Sequence, residues 1–180
     1  MRLFHFSDRD GIARFAPRPV VVPAPRLPGH EWLNGPLVWA IDDHHQPMYL
    51  FPRDCPRILL WATAATTAQD RAAWLGDGGH RMVACLERTW LDRFRAARLF
   101  RYRMPAEAFE SLDDAGMWVS RRAVVPLEVA AIDDLPAALR AENTELRVVD
   151  SLAELRPALA SSLHVSANRM RNSPTWAASG

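Results

Sequence analysis

Residues 98–104 read Arg-Leu-Phe-Arg-Tyr-Arg-Met. Phe100, Tyr102 and Met104 fall on one side of an extended chain, Arg101 and Arg103 on the other. A period of two marks a strand with one face buried and one face wet. Just before it, Leu86, Trp90, Phe94 and Ala97 recur at helical spacing, which predicts a helix over residues 88–97. Working outward, residues 2–7 read as a short strand, with Phe4 and Phe6 on one face and Leu3, His5 and Ser7 on the other. Phe4 and Phe6 are expected to anchor their face in the core. Residues 37–42 and 58–62 are nearly continuous apolar runs and suit buried strands. Residues 80–86, 117–120, 124–132 and 145–149 are further strand candidates.

Helices are fewer. Thr67-Ala-Gln-Asp70 fits a capping box with aspartate in place of the usual glutamate, and its helix should end near Gly76. Asp133 is expected to cap a helix with Pro136 in its first turn. Ser151-Leu-Ala-Glu154 is a second capping box, on a helix that Pro157 should kink or shorten. A helical turn is expected near residues 45–50. Strands outnumber helices and do not alternate with them regularly. The pattern predicts an α+β fold, mostly antiparallel, with helices flanking the sheet. One domain over residues 1–172 and a frayed tail over 173–180 are the expected organisation. Between Pro17 and Pro36 six prolines exclude helix and central strand, leaving a long irregular loop of the kind that often covers a binding site.

All 22 basic side chains in the 180 residues are arginines, and 21 carboxylates bring the net charge to +1. The arginine bias fits GC-rich coding. Without lysine, Schiff-base chemistry, pyridoxal-phosphate attachment and the lysine-bearing phosphate loop are excluded. The near-neutral total argues against a dedicated nucleic-acid binder. Two cysteines, Cys55 and Cys85, imply no disulfide framework. No leader opens the sequence and no apolar run approaches the roughly 20 residues of a membrane span, so a cytoplasmic protein off the membrane is expected. The oligomeric state is not written in the sequence.

Three sets of residues have the chemistry of a site. His5 and Ser7 point the same way from one strand and can hydrogen-bond a hydroxyl-rich ligand, or simply be satisfied by neighbours. Residues 42–57 gather Asp42, Asp43, His44, His45, Tyr49, Arg53, Asp54, Cys55 and Arg57. His44, His45 and Asp42 lack the usual metal-ligand spacing, and no metal is expected. Cys55 reads either as a nucleophile activated by Arg53 or Arg57, or as an inert packed thiol. Arg53 and Arg57 bracket a turn fixed by Pro52 and Pro56. They can present guanidinium forks to a phosphate, or pair with Asp42, Asp43 or Asp54. Glu128 sits on an otherwise apolar strand and faces either solvent or a cleft, with Arg121 and Arg122 as candidate partners.

Three stretches resemble a family of uncharacterised bacterial proteins: Leu-Phe-His-Phe-Ser at 3–7, Val-Trp-Ala-Ile-Asp at 38–42 with Tyr-Leu-Phe-Pro-Arg-Asp-Cys-Pro-Arg at 49–57, and Trp-Val-Ser at 118–120 with Val-Pro-Leu-Glu-Val at 125–129. That likeness brings no activity with it. The order of His5 and Ser7 on a first strand, Tyr49, and Glu128 on a late strand is similar to that of ADP-ribosyltransferase folds. The resemblance implies NAD or a related nucleotide over His5 and Ser7, Tyr49 against the base, Arg53 on the pyrophosphate and Glu128 stabilising the reacting sugar. The position two before Glu128, where such folds carry Gln or Glu, is Pro126. Two other functions stay open: a non-transferase domain that grips an anionic small molecule with His5, His45 and the arginines, and an interaction domain using exposed tryptophans such as Trp32 and Trp176.

Overall fold

The structure, a computed structural model, describes residues 1–177, the Ala177 side chain apart. The fold is α+β and mostly antiparallel, with few and short helices. In chain order the elements are β1 (Leu3–Ser7), β2 (Val38–Asp42), β3 (Arg57–Trp61), α1 (Ala68–Asp70), β4 (Met82–Glu87), α2 (Leu91–Ala96), β5 (Leu99–Met104), β6 (Glu110–Ser111), β7 (Met117–Ser120), β8 (Glu128–Ile132), α3 (Leu135–Ala141), β9 (Thr144–Val149), β10 (His164–Asn168) and α4 (Pro174–Ala177). They fall into two compact units. The first comprises Met1–Gln46 and Leu99–Ala131, the second Pro47–Arg98 and Ile132–Gly180.

The first unit is built on a sheet ordered β6-β7-β2-β1-β5-β8. The alternating strand β5 lies next to the central strand β1 and pairs with it from Leu3↔Met104 to Ser7↔Phe100. Partners in such a ladder share a face. Leu3, His5 and Ser7 therefore lie with Phe100, Tyr102 and Met104. That is the face over which Phe15, Val38, Ala40, Phe109 and Val124 close a hydrophobic cluster. The opposite face carries Phe4 and Phe6, the second half-buried. The chain after β1 folds back through the Phe15↔Val124 bridge and covers the His5/Ser7 side. Phe4 is itself buried. The Tyr102 hydroxyl stays satisfied inside the cluster, donating to the Arg9 carbonyl at 2.8 Å and accepting from the Ile12 amide at 3.2 Å.

The predicted strand over 124–132 begins only at Glu128. Pro126 has no N–H to donate to a ladder, and Val124 makes an isolated bridge instead. The Pro17–Pro36 segment is irregular up to a 3-10 turn at Glu31–Asn34. The Asn34 side chain holds it by bonding the amide and carbonyl of Ala24.

The second unit carries a sheet ordered β10-β3-β4-β9, antiparallel except for the parallel β4–β9 pair. Ile58, Leu60, Val83 and Cys85 share one face with Leu75, Leu152 and Ala158 from the flanking turns. Burying a side chain of this size contributes about 1.5–3 kcal/mol. The opposite face carries Arg57, Leu59 and Trp61, whose β10 partners are Asn168, Ser166 and His164. α1 starts on the Thr67 cap, whose hydroxyl accepts from the Asp70 amide at 3.1 Å. It continues as a π turn over Arg71–Leu75 and stops at Gly76, where φ is +67°. The α3 cap is Asp134 rather than Asp133: Asp134 accepts from the Ala137 amide at 2.8 Å, while Asp133 pairs with Arg98. Ser151 does cap its segment, but Pro157 removes an amide donor and Leu152–Ala160 forms 3-10 turns.

Ser173 is buried, and residues 174–177 form α4. The buried Glu87 carboxylate accepts from the Ser173 hydroxyl at 2.6 Å, from the Leu152 amide at 3.4 Å and from the Thr175 hydroxyl. Residues 178–180, the rest of the expected tail, lie outside the described residues.

Candidate functional site

One buried polar cluster of the second unit starts at the proline-fixed turn. The Cys55 amide closes it on the Pro52 carbonyl at 3.0 Å. Arg57 follows as the first residue of β3, with only 4% of its surface exposed. Its guanidinium donates to the Met48 carbonyl from Nε at 2.9 Å and from Nη2 at 2.7 Å, and to the Cys55 carbonyl from Nη1 at 3.0 Å. Among the described residues no carboxylate pairs with it. Burial lowers its pKa to about 10, with the Arg169 charge acting the same way. It is therefore still a cation at neutral pH. A buried charge without a counter-charge is costly, and main-chain carbonyls offset that only in part.

Tyr49 and Arg169 complete the cluster. The Arg57 guanidinium lies 6.0 Å from the Tyr49 ring and 5.3 Å from the Phe51 ring, within cation–π range. Burial pushes the Tyr49 phenol up, and the Arg57 and Arg169 charges oppose it. Arg169 follows β10 with a left-handed backbone, φ +56°, and donates to the Arg53 carbonyl at 3.2 Å. Asn172 donates to the Asp54 carbonyl at 2.7 Å. The chain after β10 thus clamps the 53–54 turn and brings a second guanidinium towards Arg57. The arrangement is a phenol and two arginines with no carboxylate among them. Guanidinium groups of this kind match the oxygens of phosphate or carboxylate. Arg53 itself is exposed on the turn.

Of the residues singled out from the sequence, Tyr49, Arg53 and Arg57 are brought together in this unit. His5, Ser7, His45 and Glu128 belong to the other. There, His5 Nδ1 lies 2.8 Å from the Trp39 carbonyl and its ring sits 4.5 Å from that of Phe15. The Ser7 hydroxyl is buried and accepts from the Arg9 amide at 3.1 Å. β5 stands between β1 and β8 in the sheet. Glu128 is exposed and pairs with Arg103 at 2.9 Å, not with Arg121 or Arg122. His45 is held by Asp42, whose carboxylate contacts its Nδ1 at 2.9 Å and accepts from its amide at 2.7 Å.

Asp42 and Asp43 engage His45 and Arg2 rather than the turn arginines. Among the described residues no group of three His, Cys, Asp or Glu side chains is placed to hold a metal ion. Cys55 is fully buried, and desolvation pushes its thiol up to about 12 despite nearby arginines, which fits the inert packed thiol of its two readings. Trp176 is half-buried under Arg156, whose guanidinium lies 4.2 Å from its ring, and is not an exposed anchor. Trp32 is exposed at 38% with Arg121 stacked on it at 4.5 Å.

Arg169 was not marked by the sequence. It is one of 22 arginines, and only the pairing of β10 with β3 carries it to the turn.

Fold and site together define an α+β protein of short, mostly antiparallel strands with a buried arginine, no carboxylate paired with it, at the start of an inner strand of its second sheet. The chain belongs to a family of unknown function (DUF6886), whose match spans residues 4–173. No curated protein and no solved structure matches it significantly.

Proposed function

We propose that this protein binds an anionic small molecule at the turn formed by Tyr49, Arg53, Arg57 and Arg169. One observation carries the reading: Arg57 holds its charge in the interior of the second unit with carbonyl oxygens, and no carboxylate, against it. An anion there supplies the missing counter-charge. Arg169 and Arg53 then contribute from the exposed side, where a ligand arrives. The phenol of Tyr49, kept protonated by its surroundings, donates a hydrogen bond to the anion.

A narrower version, transfer of ADP-ribose from NAD, is favoured by the order of His5, Tyr49 and Glu128 along the chain. It would give His5 and Ser7 to the nicotinamide nucleotide and Glu128 to the reacting ribose. The binding reading has more support, because the bonds of His5 to Trp39 and of Glu128 to Arg103 already give both residues structural partners.

Thermal unfolding of the full chain with phosphate, citrate and nucleotides tests the reading. A ligand at about 100 times its Kd adds about 2.7 kcal/mol, which raises Tm by roughly 5–10 °C in a chain of this size. The rise should be lost in Arg169→Ala. Unchanged Tm with every anion removes the proposal. Label transfer from NAD would establish the narrower version, and binding without transfer would exclude it.

A further inference from the structure

We infer that β10 is the ring-recognition strip of this same site and that the ligand is a nucleoside monophosphate or an aromatic anion of like build. The inference rests on the anion-binding reading above and adds the class of ligand. The pairing of β10 with β3 puts His164, Ser166 and Asn168 on one face with Trp61, Leu59 and Arg57. β10 is an edge strand, and all three of its residues on this face are half-buried.

The strip is graded along its length. At one end the His164 ring is stacked on Trp61, centroids 4.1 Å apart and planes 18° from parallel. Trp61 is buried and His164 half-buried, so the imidazole is the more accessible ring of the pair. In the middle the Asn168 amide donates to the Ser166 hydroxyl at 2.9 Å. At the other end stand Arg57 and Arg169. An aromatic platform is a sequence-tolerant seat for a base, worth about tenfold or more in affinity. A hydroxyl and an amide suit sugar hydroxyls, and the guanidinium pair suits a phosphate. Four residues of strand span about 13 Å, a length comparable to a nucleoside monophosphate laid base to phosphate along it.

Calorimetric titration of the full chain with inorganic phosphate, ribose 5-phosphate, AMP and UMP tests this. AMP or UMP should bind about tenfold tighter than ribose 5-phosphate. His164→Ala should abolish that preference and leave ribose 5-phosphate binding unchanged. His164→Phe should retain the preference, which separates loss of the platform from loss of the fold. If phosphate and ribose 5-phosphate bind but the nucleotides bind no tighter, the ring strip is wrong and the anion site stands. The same holds if His164→Ala weakens ribose 5-phosphate as much as AMP. If no ligand binds, both readings fall.

Discussion

Arg57 and the two cysteines are opposite cases of one physical rule, that burial disfavours the charged form of a group. A guanidinium begins so basic that burial cannot neutralise it at pH 7, so Arg57 remains an interior cation. The thiols begin neutral and are held neutral: desolvation pushes Cys85, like Cys55, up to about 12. A raised thiol pKa stabilises the fold fully below the thiol's ordinary value, near 9, and loses that contribution as pH rises from there towards 12. Arg57, lowered to about 10, works the other way above that pH. Urea unfolding between pH 8 and 10 should therefore show the wild type losing about 3 kcal/mol more than the double variant Cys55→Ala/Cys85→Ala, because only the wild-type unfolded chain ionises thiols there. Equal pH slopes would contradict the thiols' burial. At this scale the sequence singled out Arg53 and Arg57 together, since two prolines fix their turn. Nothing in residue type separated an arginine bound to carbonyls from one paired with Asp42, because that depends on where the Met48 carbonyl points.

The turn between β2 and the 3-10 turn Gln46–Tyr49 depends on a glycine from another element. Gly116 has φ +71°, and a Cβ there would stand 2.3 Å from His45 Nδ1 and 2.6 Å from an Asp42 carboxylate oxygen. The Gly116 carbonyl also accepts from the Asp42 amide at 2.9 Å. Gly116→Ala should cost at least about 1–2 kcal/mol from the left-handed backbone alone, with a further loss as the Asp42–His45 pair is forced apart. Denaturant unfolding and the His45 imidazole NMR signals measure the two effects. A variant as stable as wild type, with His45 signals unmoved, would refute the close approach. Elements with a clear local pattern were legible: the alternating β5, the apolar runs of β2 and β3, and the Thr67 cap all lie within a residue or two of their predicted positions. β10 was not, because His-Val-Ser-Ala-Asn carries one large apolar residue in five and gains its strand from pairing with β3. The helical spacing over 88–97 mixed a 3-10 turn at Arg88–Trp90 with α2, since spacing alone does not separate the two windings over so few residues.

At the scale of the molecule, the α+β antiparallel class was legible from the count and order of strands. The division into two sheets was not. Each unit returns to the chain after a long excursion, at Leu99 and at Ile132, and such long-range pairings leave no local mark. The candidate site was half legible for the same reason. Tyr49, Arg53 and Arg57 lie within nine residues of one another, whereas Arg169 and the His164 ring come from a strand more than 100 residues further on. The central claim is that the positive charge gathered there is a ligand's counter-charge. Titrating the full chain with inorganic phosphate while following the side-chain Nε–H NMR resonances of Arg57 and Arg169 tests it most directly. The account predicts that both resonances shift saturably with one shared Kd and that Arg169→Ala weakens the response of Arg57. Resonances of both arginines that stay fixed while the phosphate concentration passes from micromolar to tens of millimolar would contradict it.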